Sequence, residues 1–174
     1  MAALIYIIQA LLELCLVAFL LRLLLQWSRA DFRNPLARAL VQLTNPIIVP
    51  LRRLLPAIGR LDTASCVAVI IMGLLLVSIP SLLQGFGLPP ALPWLRLAAI
   101  QIARIALWTY FYAIILYAVL SMIAQGYSPI QGLLTSLCEP LLRPFRRLIP
   151  PLAGLDFSPL WAVIIIQALL ILLP

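Results

Sequence analysis

The chain contains no histidine and no lysine, and its 174 residues carry five acidic side chains in all: Glu13, Asp31, Asp62, Glu139 and Asp156. Losing histidine removes the commonest metal ligand, the usual general base and any histidine-ligated haem. No enzyme activity, metal or cofactor is therefore expected. The three cysteines, Cys15, Cys66 and Cys138, lie far apart without the short spacing of a metal or redox motif, so they read as small apolar residues. Charge is scarce too: 10% of residues are charged against 65% apolar, and mean hydropathy is +1.17. Soluble domains average about 25% charged and about 45–50% apolar residues, so this chain lacks the polar surface to face water on every side. It belongs in a bilayer.

What is there divides into long apolar runs and arginine-rich connections. Taking about 20 apolar residues for one crossing, four spans are expected, near Leu4 to Leu25, Ala64 to Leu83, Leu97 to Ile123, and Leu160 to Leu173. All must be helices, because isolated strands would leave backbone groups unpaired in lipid. The last run is short and would need Leu155 to Pro159 to complete its crossing. The first lacks a basic leading region and a small-residue cleavage site, and reads as a retained anchor.

The connections after the first and third spans are copies. A gapless shift of 94 residues matches Pro35, Pro46, Pro50 and Pro56 with Pro129, Pro140, Pro144 and Pro150. It also matches Arg52 and Arg53 with Arg146 and Arg147, Asp62 with Asp156, and Leu40, Leu43, Leu54 and Leu61 with Leu134, Leu137, Leu148 and Leu155. That is 11 identities over the 32 positions from Asn34 to Ser65. The fold class is therefore an all-α membrane protein of four helices in two parallel repeats, each helix, amphipathic Pro/Arg-rich segment, helix. The repeats would take residues 1–83 and 97–174, with interfacial segments at 34–58 and 128–152 and a Gly/Pro-rich connection at 84–96. Nine arginines in the two copied segments face one, Arg96, at the middle connection. Positive-inside bias then puts both segments in the cytoplasm and both termini outside.

Within each segment, Leu36, Ala39, Leu40, Leu43 and Ile47, and again Ile130, Leu133, Leu134, Leu137 and Leu141, follow helical spacing. Asn34 and Ser128 stand as N-caps before Pro35 and Pro129. Pro46 and Pro140 are expected to end or kink this helix, and a second short piece would carry the paired arginines along the interface. Arg52, Arg53, Arg146 and Arg147 are candidates to bind anionic lipid or an acidic partner, with orientation of the spans as the plainer role. Asp62 and Asp156 would cap the following helices or pair with these arginines.

Three charges fall inside spans. Arg22 lies near the cytoplasmic end of its span and is expected to snorkel to the headgroups. Glu13 and Arg104 lie 22 and 25 residues before Pro35 and Pro129, so their depths differ by about 4.5 Å, and an intramembrane ion pair between them is expected. Trp27, Phe32, Trp94, Tyr127, Phe157 and Trp161 read as interfacial anchors, and Trp108, Tyr110, Phe111 and Tyr112 as packing.

The stretches Asp31, Phe32, Asn34 and Pro35, then Thr44, Pro46, Pro50 to Arg53, Pro56, Gly59 and Asp62, resemble the YggT family of bacterial membrane proteins, as does the second copy. That copy runs from Gln125 and Ser128 to Ile130, through Pro140 to Pro144, Arg146 to Leu148 and Pro150, to Asp156 to Pro159. The family includes cyanobacterial and plastid YlmG-type proteins, and the resemblance covers essentially the whole chain. It implies a multi-pass protein of the bacterial inner membrane. It also implies a part in osmotic stress tolerance, in cell division or nucleoid organisation, or, in plastids, in assembly of a cytochrome b-type complex, with no catalytic residues. The expectation is a non-enzymatic factor that helps assemble or organise envelope machinery through its cytoplasmic arginines, with lipids, other membrane proteins or further copies of itself as partners. The alternative is a small channel or transporter-like protein of the osmotic stress response, which would need a homo-oligomer and would place function on Glu13 and Arg104. Direct nucleic-acid binding is not expected, because the arginines alternate with membrane-seeking residues.

Overall fold

The computed structural model describes residues 2–55, 62–123, 128–148 and 156–173. Pro56, Gly59, Arg60, Leu61, Gln125, Tyr127, Pro150 and Leu155 lie outside the described residues, as do the ends of both expected interfacial segments. All regular structure among the described residues is helical: α1 Ala2–Trp27, α2 Pro35–Leu54, α3 Thr63–Leu83, α4 Ala91–Ile123, α5 Pro129–Leu148 and α6 Ser158–Leu172. Three of these, α1, α3 and α4, are long and apolar enough to cross a membrane, whereas α6 is an apolar helix of 15 residues. At 1.5 Å per residue it is about 22 Å long, and it takes in only Ser158 and Pro159 ahead of the short run foreseen from Leu160. The third span is longer than foreseen. Because α4 starts at Ala91, the connection 84–96 shrinks to a turn in which Gly85 and Gly87 adopt φ values of 80° and 74°.

Both arginine segments are single 20-residue helices that run through their prolines. Pro46 and Pro140 therefore do not end the helix, one of the two outcomes expected of them. Each proline removes one N–H from the helical ladder, but Pro46, Pro50, Pro140 and Pro144 are all exposed, so the rings lie on the open side of the helix. α2 also presents a different side to its neighbours than the spacing suggested. Ala37, Thr44 and Ile48 are buried, while Leu36, Leu43 and Ile47 are 42%, 73% and 44% exposed. α5 keeps more of the expected stripe, with Leu134 and Leu137 buried and Cys138 and Leu142 beside them.

Contacts divide the chain into two compact units, Met1–Leu23 with Leu43–Ala106, and Leu24–Gln42 with Leu107–Pro174. Neither coincides with residues 1–83 or 97–174, the expected repeats, since α4 contributes to both. In the first unit Leu16, Phe19 and Leu20 of α1, Ile48 of α2 and Ala64, Ala68, Val69 and Leu76 of α3 form one core, with Ile102 and Ile105 of α4 packed on it. α3 and α4 come close at Gly73, where an added Cβ would stand 2.5 Å from Ile102 Cδ1. Trp94 is no simple interfacial anchor: its Nε1 donates to Ser78 Oγ at 2.9 Å and ties the same two helices. In the second unit Asn34 caps α2, accepting from the Leu36 N–H at 2.9 Å, and its amide donates to the Pro129 carbonyl at 2.6 Å, joining the starts of α2 and α5.

Candidate functional site: the arginine clusters of α2 and α5

The two arginines of each pair have separate fates. Arg52 bends onto Asp62, ten residues ahead, with Nε to Oδ1 at 3.2 Å and a second guanidinium nitrogen to Oδ2 at 2.6 Å. Asp62 is 3% exposed and also accepts from Ser65 Oγ at 2.6 Å. Asp62 holds the N-cap position of α3, but its carboxylate makes no capping bond to a backbone N–H; it joins the last turn of α2 to the first of α3. Burial raises the Asp62 carboxyl, and hydrogen bonds from Arg52 and Ser65, with the nearby charges of Arg52 and Arg22, outweigh that and hold it below the ordinary carboxylate range. The bond to Asp62 raises Arg52 in turn.

The second cluster repeats the bridge with different surroundings. Arg146 Nε donates to Asp156 Oδ2 at 2.8 Å, and its terminal nitrogens donate to Glu139 Oε2 at 2.6 Å and to the Tyr117 hydroxyl at 2.9 Å. Asp156 Oδ1 accepts from the Ser158 backbone N–H at 2.9 Å, so it serves both as a bridge and as a bond to the start of α6. Burial raises its carboxyl, and bonding from Ser158 and Arg146 more than offsets this. Arg146 is raised despite partial burial by Tyr117, Asp156 and Glu139. Arg53 and Arg147, the following residue in each copy, are exposed and form no ion pair with any described residue.

Arg22 does not snorkel. It is 3% exposed, and one guanidinium nitrogen donates to Thr44 Oγ1 at 2.6 Å and to Asn45 Oδ1 at 3.0 Å, fastening α1 to the buried side of α2. Glu13 is exposed on α1 and accepts from Gln9 Nε2 at 3.3 Å. Arg104 is half-buried on α4.

Thr44, Asn45, Ser65, Tyr117 and Glu139 were not singled out from sequence as site residues. The position pairing Asn45 with Glu139 under the 94-residue shift was visible, and both side chains accept from an arginine. Tyr117 carried no such signal, because it sits inside an apolar run. No three His, Cys, Asp or Glu side chains gather among the described residues to hold a metal ion. Cys138 is fully buried, which pushes its thiol up to about 12 and leaves it unreactive. The arrangement offers two structural bridges with an outward cation beside each.

The sequence model of the CCB3/YggT family matches residues 1–83 and 97–174. An uncharacterized protein of Pseudomonas aeruginosa is 40% identical over 167 residues, covering 95% of this chain and 85% of its own length. The uncharacterized protein YggT of Escherichia coli K12 is 36% identical over 171 residues, or 97% and 88% of the two chains. A protein from the proC 3′ region of Vibrio alginolyticus is 34% identical over 154 residues, covering 88% of this chain and 83% of its own. No solved structure matches. With family and relatives aligned along nearly its whole length, the chain belongs to the CCB3/YggT family.

Proposed function

We propose that this chain is a non-enzymatic protein of the bacterial inner membrane, crossing it four times as two repeats, that holds α2 and α5 in the cytoplasmic interface. There Arg53 and Arg147 engage anionic lipid or an acidic membrane partner, and the protein helps assemble or position envelope machinery. The observation that carries this reading is the split within each arginine pair: Arg52 and Arg146 are committed to internal bridges, while Arg53 and Arg147 point outward beside them. Outward apolar side chains of α2, Leu36, Leu43 and Ile47, support a helix lying at the boundary of lipid and water.

The test is a crosslinking pull-down from native membranes, comparing wild type with Arg53→Gln/Arg147→Gln. These two substitutions leave both bridges intact, so normal insertion is expected. Capture of a defined membrane partner or of anionic lipid by wild type, lost in the variant, supports the proposal. Equal capture from both would reduce the arginines to topology signals and redirect work to ion flux and Glu13 in reconstituted vesicles.

A further inference from the structure

The second unit carries a groove that no sequence motif announced. Its walls are Ile115 and Val119 of α4 and Leu160 and Val163 of α6, its floor includes the fully buried Ile114, and its volume is about 280 Å³. Apolar cavities of roughly 150 Å³ already take benzene-sized guests, so this one accommodates a longer apolar chain. Ile115, Val119 and Leu160 are 39%, 45% and 55% exposed; they lie on the membrane-spanning α4 and the apolar α6, so the groove opens onto the bilayer.

One end is polar. Asp156 lines the groove and is held by Arg146, which also gathers Glu139 and Tyr117. Next to Arg146 on α5 stand Arg147 and Arg143, both exposed and one helical turn apart. Arg143, Arg146 and Arg147 against Glu139 and Asp156 leave one net positive charge on this stretch of α5 and its bridge, joined through Asp156 to the polar end of the slot. A molecule complementary to that pattern has an apolar chain and a single anionic group at the level of the membrane surface.

We infer that the α4/α6 groove is a site for an anionic phospholipid, with one acyl chain between Val119 and Leu160 and the phosphodiester beside Arg143 and Arg147. This rests on the proposed reading of Arg147 as a lipid- or partner-binding cation. It adds a defined place for one lipid molecule. Arg146 is a positioning residue in this arrangement: its bonds to Asp156 and Glu139 offset one of their two negative charges and engage the oxygens that would otherwise repel the phosphate.

The test uses the purified full chain in a neutral detergent, titrated with dioleoylphosphatidylglycerol or dioleoylphosphatidylcholine, with bound lipid counted by native mass spectrometry. Wild type is expected to retain one phosphatidylglycerol at least about tenfold more readily than phosphatidylcholine, since each arginine near an anionic group contributes severalfold. Arg143→Gln/Arg147→Gln should abolish that preference. Val119→Trp, and separately Leu160→Trp, should lower retention of both lipids by filling the slot; both positions are outward, so the helices keep their packing. Equal retention of the two lipids by wild type, or retention unchanged by either tryptophan, overturns the site. Loss of the partner in the Arg53→Gln/Arg147→Gln pull-down, together with unchanged retention in the tryptophan variants, would leave the broader function standing and remove only the groove.

Discussion

Arg52 and Arg146 commit their guanidinium groups to carboxylates ten residues downstream, and the two bridges differ chiefly in the burial of the acid. Asp62 is 3% exposed, Asp156 40%. Asp62 is buried where water cannot replace the charge-assisted bonds its carboxylate makes, whereas Asp156 is half-exposed and Arg146 keeps Glu139 and Tyr117 without it, so Asp62→Asn should lower unfolding free energy by about 1–3 kcal/mol and Asp156→Asn by under about 1 kcal/mol, read by thermal unfolding in detergent. The pH dependence has a definite sign. Both carboxyls are held below their unfolded values, so their stabilisation is complete above the ordinary carboxylate pKa and is lost as pH falls through the depressed folded value. Stability should stay level from about pH 8 to about pH 5 and decline below about pH 4, with a shallower decline in Asp62→Asn/Asp156→Asn. Arg22 supplies a second comparison. Thr44→Val removes one acceptor from a buried cation and should cost about 1–3 kcal/mol, whereas Arg38→Gln, on the exposed side of the same helix, should change stability by less than about 0.5 kcal/mol.

At the scale of the helix, α3 and α4 approach through Gly73. A leucine there would collide with Ile102, and the overpacking should cost about 1–3 kcal/mol. Adding Ile102→Ala makes room, so Gly73→Leu/Ile102→Ala should be more stable than the sum of the single changes, the mark of a direct contact in a double-mutant cycle. Neither this contact nor the course of α2 was legible in the chain. The apolar runs placed α1, α3 and α4, and Pro35 and Pro129 marked where α2 and α5 begin, because these are local patterns of composition and capping. Whether Pro46 breaks its helix depends on which side of α2 faces out, and Ile48 turns inward only because α1 and α3 bring their core to meet it, as Thr44 does to meet Arg22. The same non-local cause hid Arg22: near a span end an arginine reads as snorkelling until Thr44 and Asn45 arrive beside it. For Asp62 and Asp156 the residues alone left capping and pairing open, and the choice fell to the path of Arg52 and Arg146.

Across the whole molecule, helix length confronts bilayer thickness. α4, with 33 residues, is about 50 Å long, beyond a hydrocarbon core of about 30 Å, so it must tilt or project into water, and Arg96 near its start suits projection. α6, at about 22 Å, is shorter than that core. A short apolar helix can still cross when the bilayer thins locally or flanking chain completes the distance, and the alternative is a helix that stays on the cytoplasmic side. These outcomes place the end of α6 on opposite faces of the membrane. In a background with Cys15, Cys66 and Cys138 replaced by serine or alanine, Phe86→Cys, 80% exposed between α3 and α4, should react with a membrane-impermeant maleimide added to intact cells. Arg53→Cys and Arg147→Cys should react only in inverted vesicles. If the four-span arrangement holds, Leu173→Cys, just past α6, labels with Phe86→Cys in intact cells. Labelling of Leu173→Cys with the arginine positions instead would make α6 an interfacial helix beside α5 and leave three crossings. It would also put the polar end of the α4/α6 groove and both ends of α6 at one membrane surface, where an acyl chain could no longer run alongside that helix.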